Sequence, residues 1–384
     1  MEVSMKRAMR SSLVAGGLLA IVLVIAVVYL VGCGERQDTP SGPAMVQQTS
    51  TLSRENPVVR TVMNIQERHT SEFMADKNVV GTATGLTEDG QVAVLLLTRE
   101  PVATSAKTGK AVSSYPSNLE GHPVVVMVVG DIRPMRGGGV SHTAKQTPPI
   151  QLGTSGGWRY DLANGYCCSG TLGSLIHIGS TQYVLSNYHV FWGDIVPGGN
   201  SRVATAGDPV IQPGMVDISC NANNAQNVAT LSGAGSLPAA NVDVGYAQVI
   251  SGMVQTNGSI LEVGTISAST VSASIGQAVK KSGRTTGLSR SRVSGLNATI
   301  SVQYENECAG GVAFTKTFTG QILISNSGSR FLNSGDSGSL MVEDVSTNPR
   351  AVGLLYAGSS SVAVANPIGA VLSWIGGGAA MVGQ

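Results

Sequence analysis

Gly335-Asp336-Ser337-Gly338 sets a serine between glycines, directly ahead of the apolar run Ser339-Leu340-Met341-Val342. A hydroxyl nucleophile needs such a setting. The glycines let the backbone turn sharply, so the amides of Gly335 and Ser337 can face one point and bind an oxyanion. The same tetrapeptide also reads as a plain turn, so its chemistry depends on partners elsewhere. One candidate is His189, which follows the strand-like Tyr183-Val184-Leu185-Ser186-Asn187-Tyr188. An imidazole on a rigid mount suits general-base work near neutral pH. Another is Asp243, set among alternating apolar residues in Asn241-Val242-Asp243-Val244-Gly245. A half-buried carboxylate is costly unless paired. Holding the imidazole tautomer and stabilising the imidazolium would pair it. Asp217, in Gly214-Met215-Val216-Asp217, competes for that role from a Pro/Gly-rich loop. The other histidines, His69, His122, His142 and His177, read as structural. None has a carboxylate or cysteine at metal-ligand spacing, so neither a metal nor another cofactor is expected.

In the order His189, Asp243, Ser337 these segments resemble the chymotrypsin-like (trypsin-like) serine peptidases. The likeness extends to Ser169-Gly170-Thr171-Leu172-Gly173-Ser174-Leu175-Ile176 and to Gly353-Leu354-Leu355-Tyr356-Ala357-Gly358, and covers roughly residues 157–384. It implies an all-β peptidase domain of two six-stranded antiparallel barrels with the site between them. It also implies acyl transfer to water, with Ser337 as nucleophile, His189 as base and then acid, and Asp243 as orienter. Tyr356, Ala357 and Gly358 would line the substrate cleft. Phe331, six residues before the serine, would form the base of a shallow apolar specificity pocket, disfavouring cleavage after Lys or Arg. Within the family the chain is similar to bacterial and plant relatives of the narrow-leaf type, through Gly283-Arg284-Thr285-Thr286-Gly287 and residues 207–214. It lacks the Ile-Val-Gly-Gly activation sequence, so activation by a newly cut N-terminus is not expected.

The peptidase segment has to be delivered and folded. Lys6, Arg7 and Arg10 precede an uncharged apolar run from Leu13 to Val31, as in an export signal. Leu30-Val31-Gly32-Cys33 resembles the bacterial lipobox, which implies cleavage before Cys33 and its acylation. An uncleaved membrane anchor is the alternative, since the run is just long enough to span a bilayer. Either way the rest is expected outside the cytoplasm, on a membrane. Four further cysteines, Cys167, Cys168, Cys220 and Cys308, make an even set suited to two disulfides. A bridge between neighbours Cys167 and Cys168 would be strained, so each is expected to join Cys220 or Cys308. A four-cysteine zinc site is the rival, without CxxC spacing to support it.

Composition agrees with a chain of many turns and short strands. Among 384 residues 49 are glycine and only 12% are charged. The net charge is +1, with no basic block beyond the N-terminus, so nucleic acid is not an expected partner. The spacing divides the chain into a signal (1–33), a polar tether (34–54), a small α+β domain (55–134), a linker (135–156) and the peptidase domain (157–384). In the α+β unit, Asn56-Pro57 predicts a helix start running to about Met74. Strands are predicted near 79–85, 91–98 and 124–129, the last buried on both faces or under the helix. Residues 370–375 predict a closing helix.

The function these residues point to is a membrane-anchored serine endopeptidase acting on protein or peptide substrates. A catalytically inactive binding lipoprotein of the same fold, and a protease held latent under its N-terminal domain, are the rivals.

Overall fold

The computed structural model describes residues 51–101, 115–134, 141–163, 166–192, 204–234, 237, 239–304 and 314–384. The export signal, Cys33, nearly all of the tether, the Gly-rich part of the linker and Cys308 lie outside the described residues. Among the described residues no helix is long and apolar enough to cross a membrane.

Helix α1 spans Pro57–Met74. The Asn56 side chain caps it, accepting the amides of Val58 at 3.0 Å and Val59 at 3.4 Å. Its buried stripe, Val59, Val62, Met63 and Ile65, packs on Val92 and Val94. Strands β1 (Val79–Leu86) and β2 (Val92–Thr98) form the hairpin beneath it, and β3 (His122–Val128) runs parallel to β2. The apolar run of β3 was expected to be buried, yet Val126 and Val128 are 37% and 45% exposed. The strand lies at the outer end of its sheet, where only the short Asn118–Leu119 pairs beyond it.

A two-residue strand, β4 (Arg133–Pro134), leads onward. Then come β5 (Thr154–Trp158), β6 (Gly170–Leu172), β7 (Ser174–Ile178) and β8 (Thr181–Ser186). The single turn α2 (Tyr188–Phe191) precedes β9 (Pro209–Gln212), β10 (Gln226–Ala234) and β11 (Gly245–Val249). The second half holds β12 (Ala278–Lys281), β13 (Ser289–Tyr304), β14 (Phe314–Ser325), β15 (Leu340–Glu343), β16 (Ala351–Gly358) and β17 (Val362–Pro367). Helix α3 (Ile368–Ile375) and β18 (Ala380–Met381) close the chain.

These strands make two large antiparallel arrays. The first runs β18-β7-β8-β11-β10-β9-β5-β6, with Gly173 alone separating β6 from β7. In the second, β12-β15-β16-β17-β14-β13 pair in turn and β12 pairs again with β13, so the pairing returns to its start. Each array has its own apolar core. A shared cluster containing Leu185, Val242, Val244, Leu340 and Leu354 joins them.

Strand β1 of the small α+β segment also pairs with β13, from Gly81↔Ile300 to Gly85↔Gly295. The hairpin therefore continues the second array, and the described residues fall within one compact unit. β13 is long enough, at 16 residues, to pair with β12, β14 and β1.

Candidate active site

Strand β8 sets His189 and Asp243 against each other. It pairs with β11 from Tyr183↔Gln248 to Ser186↔Gly245. Asp243 stands two residues before β11, and His189 three residues after the end of β8, so both fall at the same end of the pair. The Asn187 side chain locks the junction by donating to the Asp243 carbonyl at 2.8 Å. His189 Nδ1 then donates to Asp243 Oδ2 at 2.6 Å, with both side chains fully buried. The same oxygen accepts the Tyr304 hydroxyl at 2.9 Å, and Oδ1 accepts the His189 amide at 3.3 Å. Three donors thus meet the desolvation demand of the buried carboxylate. With Nδ1 committed to an acceptor-only carboxylate, Nε2 is the ring nitrogen that can take a proton.

Asp217, the competing acid, is committed elsewhere. Its oxygens take Arg284 Nε at 2.7 Å and Nη2 at 2.5 Å, and it also accepts the Ser155 hydroxyl. Arg284 is fully buried by this bidentate pair.

The serine loop is shaped by contacts that only glycine allows. Gly335 and Gly338 both have φ of +93°. A Cβ on Gly338 would lie 2.2 Å from Ser186 Oγ and 2.4 Å from the Thr171 carbonyl. The Thr171 amide holds the Ser337 carbonyl at 2.9 Å, and its hydroxyl holds the Gly335 carbonyl at 2.9 Å. Asp336 turns inward and is fully buried. Its Oδ1 accepts the amides of Thr285 at 2.9 Å and Thr286 at 3.1 Å, and Oδ2 accepts the Thr286 hydroxyl at 2.7 Å and the Asn333 amide at 2.9 Å. The buried Lys281 ammonium completes the cradle, 3.2 Å from Oδ1. Burial pushes the Lys281 pKa down, while the Asp336 charge works against that shift. The Gly283–Gly287 segment is thus a brace for the serine loop, and Arg284 within it ties the brace to Asp217.

Ser337 is buried, and its hydroxyl donates to the Tyr356 carbonyl at 3.3 Å. A Cβ on Gly170 would meet Val190 at 2.4 Å and the Ser337 carbonyl at 2.9 Å, so the neighbour of His189 and the serine approach one point. Tyr356 links the halves in a second way. Its ring packs on Phe318 at 5.0 Å, and Phe318 lies 6.5 Å from Tyr304, the donor to Asp243. Its hydroxyl pKa is pushed well above the ordinary tyrosine value, first by burial and then by the Asp243 charge. Ala357 and Gly358 follow on β16, paired on one side with Val364 and Ala363 of β17 and on the other with Pro134 and Arg133 of β4.

Phe331 is 2% exposed and packs in the core of the second array with Leu332 and Val293. Its amide donates to Asn326 Oδ1 at 3.0 Å, and Asn326 Nδ2 bridges the carbonyls of Leu332 at 2.9 Å and Ser359 at 2.7 Å. Cys167 is bonded to Cys220 across 5.6 Å between Cα atoms, one of the pairings left open by the sequence. Cys168 is also disulfide-bonded. His69 pairs with Glu120 and Glu72 on the surface. His142, read from the sequence as a linker residue, is buried and lies 2.7 Å from Glu262. Among the described residues there is no group of three His, Cys, Asp or Glu that could hold a metal.

Sequence reading missed Tyr304 and Lys281. Tyr304 had a visible sign: it continues the inward alternation of Ile300 and Val302 in β13, where a polar group must find a partner.

Residues 222–366 match the family described as the Nal1 C-terminal domain. No curated protein matches the chain. Among solved structures, the chain is similar to a glutamic acid-specific serine protease (TM-score 0.39, 16% identity, 60% of this chain and 100% of that one). It is likewise similar to Thermobifida fusca Protease A (TM-score 0.39, 19% identity, 61% and 99%) and to a Cellulomonas bogoriensis chymotrypsin (TM-score 0.38, 17% identity, 61% and 99%). Likeness this distant bears on neither activity nor substrate.

Proposed function

We propose that this chain is a serine endopeptidase, and the observation that carries the reading is the buried His189–Asp243 pair beside the Ser337 loop. In this reading Ser337 Oγ attacks the peptide carbonyl carbon while His189 Nε2 takes the hydroxyl proton. The carbon–nitrogen bond breaks, the leaving amine receives that proton, and an acyl-serine remains. Water attacks the ester with His189 again as base, releasing the acid and restoring the serine. Asp243 holds the ring and balances the imidazolium charge, and Tyr304 holds Asp243. The amides of Gly335 and Ser337 form the oxyanion site, and Tyr356, Ala357 and Gly358 carry the substrate backbone. Phe331 contributes apolar bulk behind the specificity pocket.

The two arrays correspond in this reading to the two barrels of a chymotrypsin-like peptidase of the narrow-leaf branch. The Cys167–Cys220 bond supports an oxidising compartment, consistent with export and anchoring through Cys33. The test is labelling by a fluorophosphonate probe. The wild type should react and Ser337→Ala should not. A wild type that never labels, under conditions where it is folded, would favour the catalytically inactive binding protein instead.

A further inference from the structure

The edge of β16 beside Ser337 is already taken by the chain itself. β15 pairs with β16 only between Ala351 and Leu354, and beyond Leu355 that edge runs on past the serine loop. There Arg133 and Pro134 lie antiparallel to it, Arg133 opposite Gly358 and Pro134 opposite Ala357. The direction matters. Moving forward from Arg133 to Pro134 moves backward along β16 toward Tyr356, whose carbonyl accepts the Ser337 hydroxyl. The segment therefore approaches the serine as the N-terminal side of an extended peptide would. An open strand edge binds such a peptide through main-chain hydrogen bonds.

The segment is also anchored. Just ahead of it, Ile132 is 1% exposed and shares a core cluster with Tyr304, Phe318 and Tyr356. Its carbonyl accepts the Gln303 amide at 3.3 Å. Upstream, the Val129 amide donates to the Thr98 carbonyl at 2.8 Å, tying the run to β2.

We propose that Ile132–Pro134 is a built-in occupant of the strand edge that would receive the acyl side of an extended peptide substrate. The proposal rests on the serine-peptidase reading. Extended peptides must displace the segment, whereas a small reagent that needs only the serine does not. Apparent affinity for the longer ligand is reduced by the fraction of molecules whose edge is open.

The experiment compares the wild type with Arg133→Pro in the full chain. Pro134 has no N–H, so donation from this strand falls to Arg133, and a proline there removes it. Ile132→Ala, which loosens the anchor instead, is the second variant, with folding of each checked by circular dichroism. Two rates are measured: fluorophosphonate labelling, and kcat/KM for an extended peptide of six or more residues. Both variants should gain about tenfold on the peptide, as for an edge open one-tenth of the time, with labelling within about twofold. Unchanged peptide rates, in folded variants whose wild type labels, would overturn the occupant and leave the peptidase reading intact. Labelling of the wild type no faster than that of Ser337→Ala would bring down the peptidase reading and the occupant with it.

Discussion

Asp243 carries more than one duty, and each of its contacts can be tested alone. Asp243→Asn keeps the shape but presents an amide to Nδ1, favouring the wrong tautomer; kcat should fall by about 10⁴ with the fold intact. Tyr304→Phe removes a single donor from a buried charge. Such hydrogen bonds contribute about 1.5–3 kcal/mol, so kcat should drop roughly tenfold or more while KM holds. A normal rate in Tyr304→Phe would reduce that tyrosine to packing. Asp217, by contrast, should affect stability first, because its partner is the fully buried Arg284. At this scale the sequence was most legible where a chemical group stood in an unusual setting. His189, Asp243 and Ser337 are exceptions within apolar or glycine-rich runs. Tyr304 and Lys281 find their partners on other segments, and a partner reached that way leaves no mark in the local spacing. The commitment of Asp217 to Arg284, 67 positions away, was likewise invisible.

Elements were legible when their own residues decide them. The α1 boundaries follow from the Asn56 cap and the Pro57 start, and the β1–β2 hairpin from the Glu88-Asp89-Gly90 turn between its two strands. The exposure of β3 depends on where the strand falls in the sheet, which its apolar run does not encode. The loop carrying Ser337 is held by the Gly283–Gly287 brace and Lys281, which gives a sharp test. Lys281→Met leaves Asp336 buried without its ammonium, and breaking such a pair costs about 3–5 kcal/mol. Pairing it with Asp336→Leu should recover much of the stability in urea unfolding, yet activity should stay low, since the loop has lost its cradle. Recovery of both would show the pair to be mere packing. A milder test concerns α1. His69 is raised by its hydrogen bonds to Glu120 and then Glu72, while Glu120 is lowered by Arg68 and then His69. The His69 contribution is full below its unfolded pKa of about 6.5 and is lost as pH climbs through the raised folded value. The Glu120 contribution is lost only as pH falls through its lowered value. His69→Gln should therefore shift the urea midpoint at pH 5.5 and leave it nearly unchanged at pH 8.5.

For the whole molecule, the joining of β1 to β13 decides how the N-terminal region can be studied. A deletion through residue 134 would strip β1 from β13 and bare an edge of β13, a strand that carries the buried Ile300 and Val302. Such an edge invites association. The truncated protein should appear as oligomers or aggregate in size-exclusion chromatography, so a rise or fall in its activity would say little about latency. Point changes at Ile132 and Arg133 avoid that damage. The Lys281–Asp336 contact reaches further still. It lets a side chain from within the body set the serine loop, with no freshly cut terminus to wait for. In the peptidase proposed above, that loop would be set as folding ends, without a proteolytic event as its trigger, and restraint would fall to whatever lies across the cleft.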